Sequence, residues 1–234
     1  MSTPEPSEVM DVEETSEVDE GPGCLPGIMA ATVLMGIIGF IGCGFSTWIL
    51  FQQRTEFATR TLREGFLPEI EQSRFQADEK EDLIAVVETI AQRMEAGGVE
   101  DWQALGVMQR LQRLPVLQWG DLQAIELSIS EQGSPEQTVS AIKQFDRLRW
   151  ATDEGKITSM DLVDVLDPVQ IDDPTVSSGR RLGEPIQLSE SLDVVDRARL
   201  LADRENIPES VGEYSPIADI VAREIEAGLA DGGF

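Results

Sequence analysis

The chain has 234 residues with 44 acidic and 18 basic side chains, a net charge of −26. That balance repels phosphate backbones and argues against a nucleic-acid partner. There is no histidine, which removes imidazole from acid–base chemistry and metal ligation, and the two cysteines, Cys24 and Cys43, sit at and within one apolar stretch, where they cannot staple the rest of the chain.

The leader, residues 1–24, carries eight acids and no base among Pro, Ser and Glu. With almost nothing to bury, it is predicted to be a disordered acidic tail. "LPGIMAATVLMGIIGFIGCGFSTWILF", residues 25–51, then runs without a charge. Ile28 to Leu50 would form about 35 Å of helix against a hydrocarbon core of about 30 Å. The stretch is therefore predicted to be a transmembrane helix in contact with membrane lipid. Phe45, Trp48 and Phe51 suit an interfacial aromatic belt, and Arg54 is the first cation beyond it. A cleavable signal peptide would need positive charge ahead of the run, and none precedes Arg54. A lipoprotein reading of "FIGC" lacks the same charge, and the apolar run continues past Cys43.

Within the span Thr32, Gly36, Gly39, Cys43 and Ser46 recur on one helical face. Small residues let a second helix approach closely, so this stripe predicts self-association or contact with another membrane protein. Arg54, Arg60 and Arg63 follow the span, against a leader without bases. The positive-inside rule then places the leader outside and the C-terminal part in the cytoplasm.

The remainder reads as all-α, a small helical bundle behind a single span. Residues 52–67 continue as a juxtamembrane helix until Pro68 interrupts it. A helical domain is expected over 68–167. Its first helix presents Leu83, Val87, Ile90 and Met94 and ends at a Gly pair. Its second presents Trp102, Leu105, Met108 and Leu111 and stops at Pro115. Leu122, Ile125 and Ile129 line the third, with Gly133 as C-cap. The fourth opens with a capping box of Ser134 and Gln137 around Pro135, and its buried face is Val139, Ile142, Phe145 and Leu148. A short helix over "SMDLVDVL" ends before Asp167-Pro168. Residues 168–188, rich in Pro, Gly, Asp and Ser, read as a linker or surface loop. Residues 189–234 hold two more helical segments, faced by Leu192, Val195, Ala198 and Leu201, then by Ile217, Val221, Ile225 and Leu229. Whether they pack on the domain is left open by the sequence.

No catalytic, cofactor or metal signature emerges. "TDEGKITSMDL" matches half a calcium loop, but Trp150 and Thr152 stand where its acidic ligands belong. Serines lack a histidine base, and no phosphate-binding glycine loop is present. "SSGRRLG" offers Arg180 and Arg181 to an anion, amid many acids. The expectation is a single-pass membrane protein acting as an interaction or scaffold component. A membrane regulatory or sensor component is the alternative, and an enzyme comes third.

Overall fold

Repeated 3.6-residue apolar faces must bury against one another, and helix accordingly carries 76% of the chain, with almost no sheet. The computed structural model describes residues 24–52, 54–176 and 178–232; the expected acidic tail lies almost entirely outside them. The chain divides into one unit ending at Ile49 and another beginning at Leu50.

The described part of the first unit lies in helix α1, Cys24–Gln52, whose last three residues belong to the second unit and whose glycines do not interrupt it. Every side chain from Ile28 to Thr47 is exposed. A helix apolar all round needs an apolar environment to cover it, and α1 is long and apolar enough to cross a membrane.

The second unit opens with α2, Arg54–Arg60. Pro68 does not end the helical run, as the sequence suggested. A π-helical segment, Thr61–Phe66, leads into α3, Leu67–Gln72, with Pro68 in its first turn. The Leu67 N–H bonds back five residues to the Leu62 carbonyl. The wider π turn gives the proline ring room where a regular helix would clash. There follow α4, Ala77–Glu95, α5, Asp101–Arg113, α6, Val116–Gln132, α7, Pro135–Asp153, and α8, Ser159–Leu166. Helix α4 ends where Gly97 adopts φ +72°, as the Gly pair foretold. Ser134 and Gln137 form the expected capping box on α7. Residues 168–188 are more than a loop: strands β1, Gln170–Asp172, and β2, Arg180–Leu182, pair antiparallel, and Leu182 is buried. Then come α9, Leu188–Arg204, and α10, Ile217–Asp231.

Two apolar cores result. One gathers α2 to α5, the first turn of α6 and α10; the other gathers the rest of α6, α7, α8, β2 and α9. Both C-terminal helices thus belong to the unit, and α10 returns to the core built by the earliest helices. The faces expected on α4 and α10 are buried throughout, as are Leu122, Ile125 and Ile129 of α6. Two faces are turned from expectation. On α5 the buried arc is Ala104, Gly106, Val107 and Leu111, while Trp102 and Leu105 are exposed. On α7 it is Ala141, Gln144, Phe145 and Leu148, while Val139 is 68% and Ile142 39% exposed. The cause on α5 is a close crossing with α10. A Cβ on Gly106 would lie 2.4 Å from the Gly232 backbone, and one on Gly228 would lie 2.7 Å from the Val107 nitrogen. Backbones this close exclude large side chains from the contact.

Arg147, 2% exposed, locks α7 to the end of α9. Its guanidinium donates to Asp203 at 2.8 Å, Gln144 at 2.8 Å and the carbonyls of Ile207 and Pro208 at 2.6 and 3.0 Å.

The crossing is testable. Gly228→Ala should lower unfolding stability by about 1–3 kcal/mol through overpacking, although alanine is the better helix former by about 1 kcal/mol. Gly65→Ala, with no atom within 4 Å, should leave stability unchanged or slightly raised. Equal urea midpoints for the two variants would mean that α5 and α10 can separate without loss.

Candidate functional site

Among the described residues, two surfaces and one cleft gather exposed apolar, small or charged side chains. The first surface is α1. Thr32, Gly36, Gly39, Cys43 and Ser46 all stand exposed along it, and a Cβ on Gly36 or Gly39 would meet nothing within 4 Å. The Thr32 hydroxyl donates to the Ile28 carbonyl of its own helix at 2.9 Å, so its proton is already used. Phe45 is exposed, Arg54 opens α2 and is half-buried, and the side chains of Trp48 and Phe51 lie outside those described.

The second surface is a groove of about 560 Å³ between α4, α6, α7 and the segment entering α10. Its floor is Trp119, Arg149 and Tyr214. Arg149 is buried, 2.8 Å from Glu126 and 3.3 Å from Asp146. Its guanidinium carbon lies 6.0 Å from the Trp119 ring centroid. The Tyr214 hydroxyl donates to Asp146 at 2.8 Å, and its ring meets Trp119 edge-on, 5.9 Å between centroids. One wall is apolar, with Leu127 of α6 and Ile142 of α7 exposed. The other is acidic, with Asp78, Glu79 and Asp82 of α4. Glu79 accepts from Gln123. The side chains of Asp78 and Asp82 make no hydrogen bond or ion pair among the described residues. A neighbouring depression of about 960 Å³ shares Gln76, Gln123 and Leu127 and extends the groove along α6 to Ile186.

The cleft, about 220 Å³, lies between the end of α3, α6, α8 and the hairpin, with Arg74, Asp121, Arg180 and Arg181 in its lining. The arginines are not free for an anion. Arg180 pairs with Asp167 at 2.9 Å, Arg181 with Asp173 at 2.7 Å, and Arg74 with Glu184. Hydrogen bonds from Thr175, then from Arg181, hold the Asp173 carboxyl down to about 2. Burial pushes the Asp121 carboxyl up to about 7, against the opposing charge of Arg74.

No protein-family model, curated protein or solved structure matches this chain. The surfaces themselves carry the argument.

The half calcium loop resolves into ordinary structure. Helix α7 ends at Asp153, Gly155 turns at φ +66°, and Asp161 caps α8 by accepting from Thr158 at 2.9 Å. Among the described residues no group of three His, Cys, Asp or Glu side chains is placed to hold a metal ion. The groove and the Asp121 cleft were not visible in the sequence. Each joins residues from three or more helices. The one local signal was an apolar pair on α7, Val139 and Ile142, that periodicity assigned to a core.

Asp121 sets a pH dependence. The folded chain holds its proton well above pH 4, where the unfolded chain releases it. The stability it contributes is therefore complete below about pH 4 and is lost as pH rises through 7. Carboxylates held low by partners, such as Asp167 and Glu184, act in the opposite sense and only below about pH 5. Between pH 5 and 8 the melting temperature should fall, and Asp121→Asn should flatten that fall and melt at least about 2 °C higher at pH 8. Parallel melting profiles for the two proteins would show Asp121 already ionised in the fold at pH 5.

Proposed function

We propose that the chain is a single-pass membrane protein whose helical unit serves as an interaction or scaffold component on the cytoplasmic side. One observation carries the reading: α1 leaves every apolar side chain from Ile28 to Thr47 uncovered. The segment Ile28–Thr47, 20 residues and about 30 Å of helix, matches the hydrocarbon thickness of a bilayer. Lipid would satisfy them, and the open glycine face would admit a second helix. Arg54, Arg60 and Arg63 beside the span support a cytoplasmic helical unit. Arg147 and Arg149 of that unit are buried in structural hydrogen bonds and ion pairs, and grooves lie open on its surface.

Alkaline carbonate extraction should leave the full-length chain in the membrane pellet, and a cytoplasm-dependent fluorescent reporter after Phe234 should be bright. Release into the supernatant would remove the anchor, and a dark reporter would reverse the orientation.

The small-residue face makes a separate prediction. Gly36→Ile and Gly39→Ile should weaken association of the span by about 1 kcal/mol per site, because the added side chain holds two backbones apart. Leu34→Ile should not. Crosslinking of the span in membranes reads this directly; equal yields from on-face and off-face variants would reduce the span to an anchor.

A further inference from the structure

We infer that the groove between α4, α6 and α7 docks a basic amphipathic helix of a partner protein. The inference rests on the interaction reading above and names the chemistry of the partner.

The groove shows the two features such a helix needs. The exposed apolar side chains in its lining are Leu127 of α6, 59% exposed, and Ile142 of α7, 39% exposed, and Val139 stands exposed one turn before Ile142 on the same helix. Helical periodicity would place Val139 and Ile142 in a core, yet among the described residues Leu127, Val139 and Ile142 all stand exposed. An exposed apolar strip beside polar walls is the surface an amphipathic helix fills with anchors at i, i+3 or i+4, and i+7. The adjoining depression lengthens it along the axis of α6, past Ala124 toward Ile186.

Charge selects the occupant. Four carboxylates, Asp78, Glu79, Asp82 and Glu126, face one guanidinium, Arg149, which Glu126 already pairs. Asp78 and Glu79 sit in the first turn of α4, where the helix dipole favours them. Asp82 lies one turn further in, an i, i+4 like-charge neighbour of Asp78, an arrangement that destabilises a helix. The nearby bases are engaged elsewhere: Lys80 donates to the Glu71 and Ser73 carbonyls, and Lys143 pairs with Glu209. Cations from outside would relieve the wall. A second copy brings a net charge of −26 of its own, and an anionic lipid surface or a nucleic acid is likewise repelled. A partner helix with Lys or Arg flanking its apolar face is complementary on both counts.

The test uses the full chain in zwitterionic lipid nanodiscs, with empty nanodiscs subtracted. The probe is a fluorescent 18-residue amphipathic helix of Lys and Leu, compared with its scrambled sequence and a Glu/Leu counterpart. Anisotropy should show the ordered Lys/Leu helix binding at least tenfold more tightly than either comparison peptide. Leu127→Ser with Ile142→Ser, and separately Asp78→Asn with Asp82→Asn, should each weaken it at least fivefold. Leu200→Ser, an exposed apolar position on α9 outside the groove, should not. Equal binding of the scrambled peptide, or groove variants indistinguishable from the parent, would overturn the inference. So would loss of self-association of the chain itself in Leu127→Ser, which would make the occupant a second copy. If a stoichiometric partner still copurifies with the groove variants, the groove assignment fails and the interaction reading stands. If neither peptide nor partner binds, both fail.

Discussion

Helices α5 and α10 approach so closely at Gly106 and Gly228 that backbone lies against backbone, and the first core is organised around that crossing. Because α5 presents its glycine and alanine arc to α10, its tryptophan and leucine are turned outward. Because α10 must reach α5, the chain leaves the second core after α9 and crosses back along α7. That crossing is pinned where Ser215 donates its N–H to Asp153 at 2.8 Å and Arg223 pairs with the same carboxylate. The crossing segment brings Tyr214 beside Trp119 and so completes the floor of the groove. The groove is thus a by-product of how the last helix is held.

The charge distribution follows a second constraint. With 44 acids against 18 bases, most cations find a carboxylate within the fold, as Arg63 does with Glu95, Arg110 with Glu224 and Arg204 with Asp161. The exposed pairs among these, such as Arg63 with Glu95, add little stability individually. Their larger effect is to consume the bases, so that the surplus of acid must face water. Much of it is scattered over helix surfaces. Along the groove it is gathered beside the exposed Leu127 and Ile142.

The sequence disclosed the local structure well and the tertiary structure unevenly. Starts and stops were legible because they rest on short-range chemistry: the Ser134–Gln137 box, the turn at Gly97, Pro115 and the Asp167-Pro168 pair. The faces of α4 and α10 were legible because large aliphatic residues mark them at regular spacing. On α5 and α7 the same rule pointed to Trp102, Leu105, Val139 and Ile142, since periodicity counts large apolar residues, whereas packing there selected Ala104, Gly106 and Ala141. Pro68 was misread for a related reason: a π turn is not encoded by any one residue. The apolar helix and the small residues exposed along it could be read directly, being contiguous in sequence. The groove and the Asp121 cleft draw on segments scattered across the chain, and no local pattern joins them.

The return of α10 to the earliest helices sets an order of events during synthesis. Helix α5 ends at Arg113 and its partner surface on α10 ends near Leu229. At roughly 5–20 residues per second, the ribosome takes on the order of 6 to 20 seconds to deliver the second after the first. Until α10 is made, Val107, Leu111 and the buried face of α4 lack its cover, whereas the second core, whose last buried residue is Ile207, is complete in sequence before α10 begins at Ile217. The second core is thus complete in sequence before the first, whose earliest helices wait on the last one made.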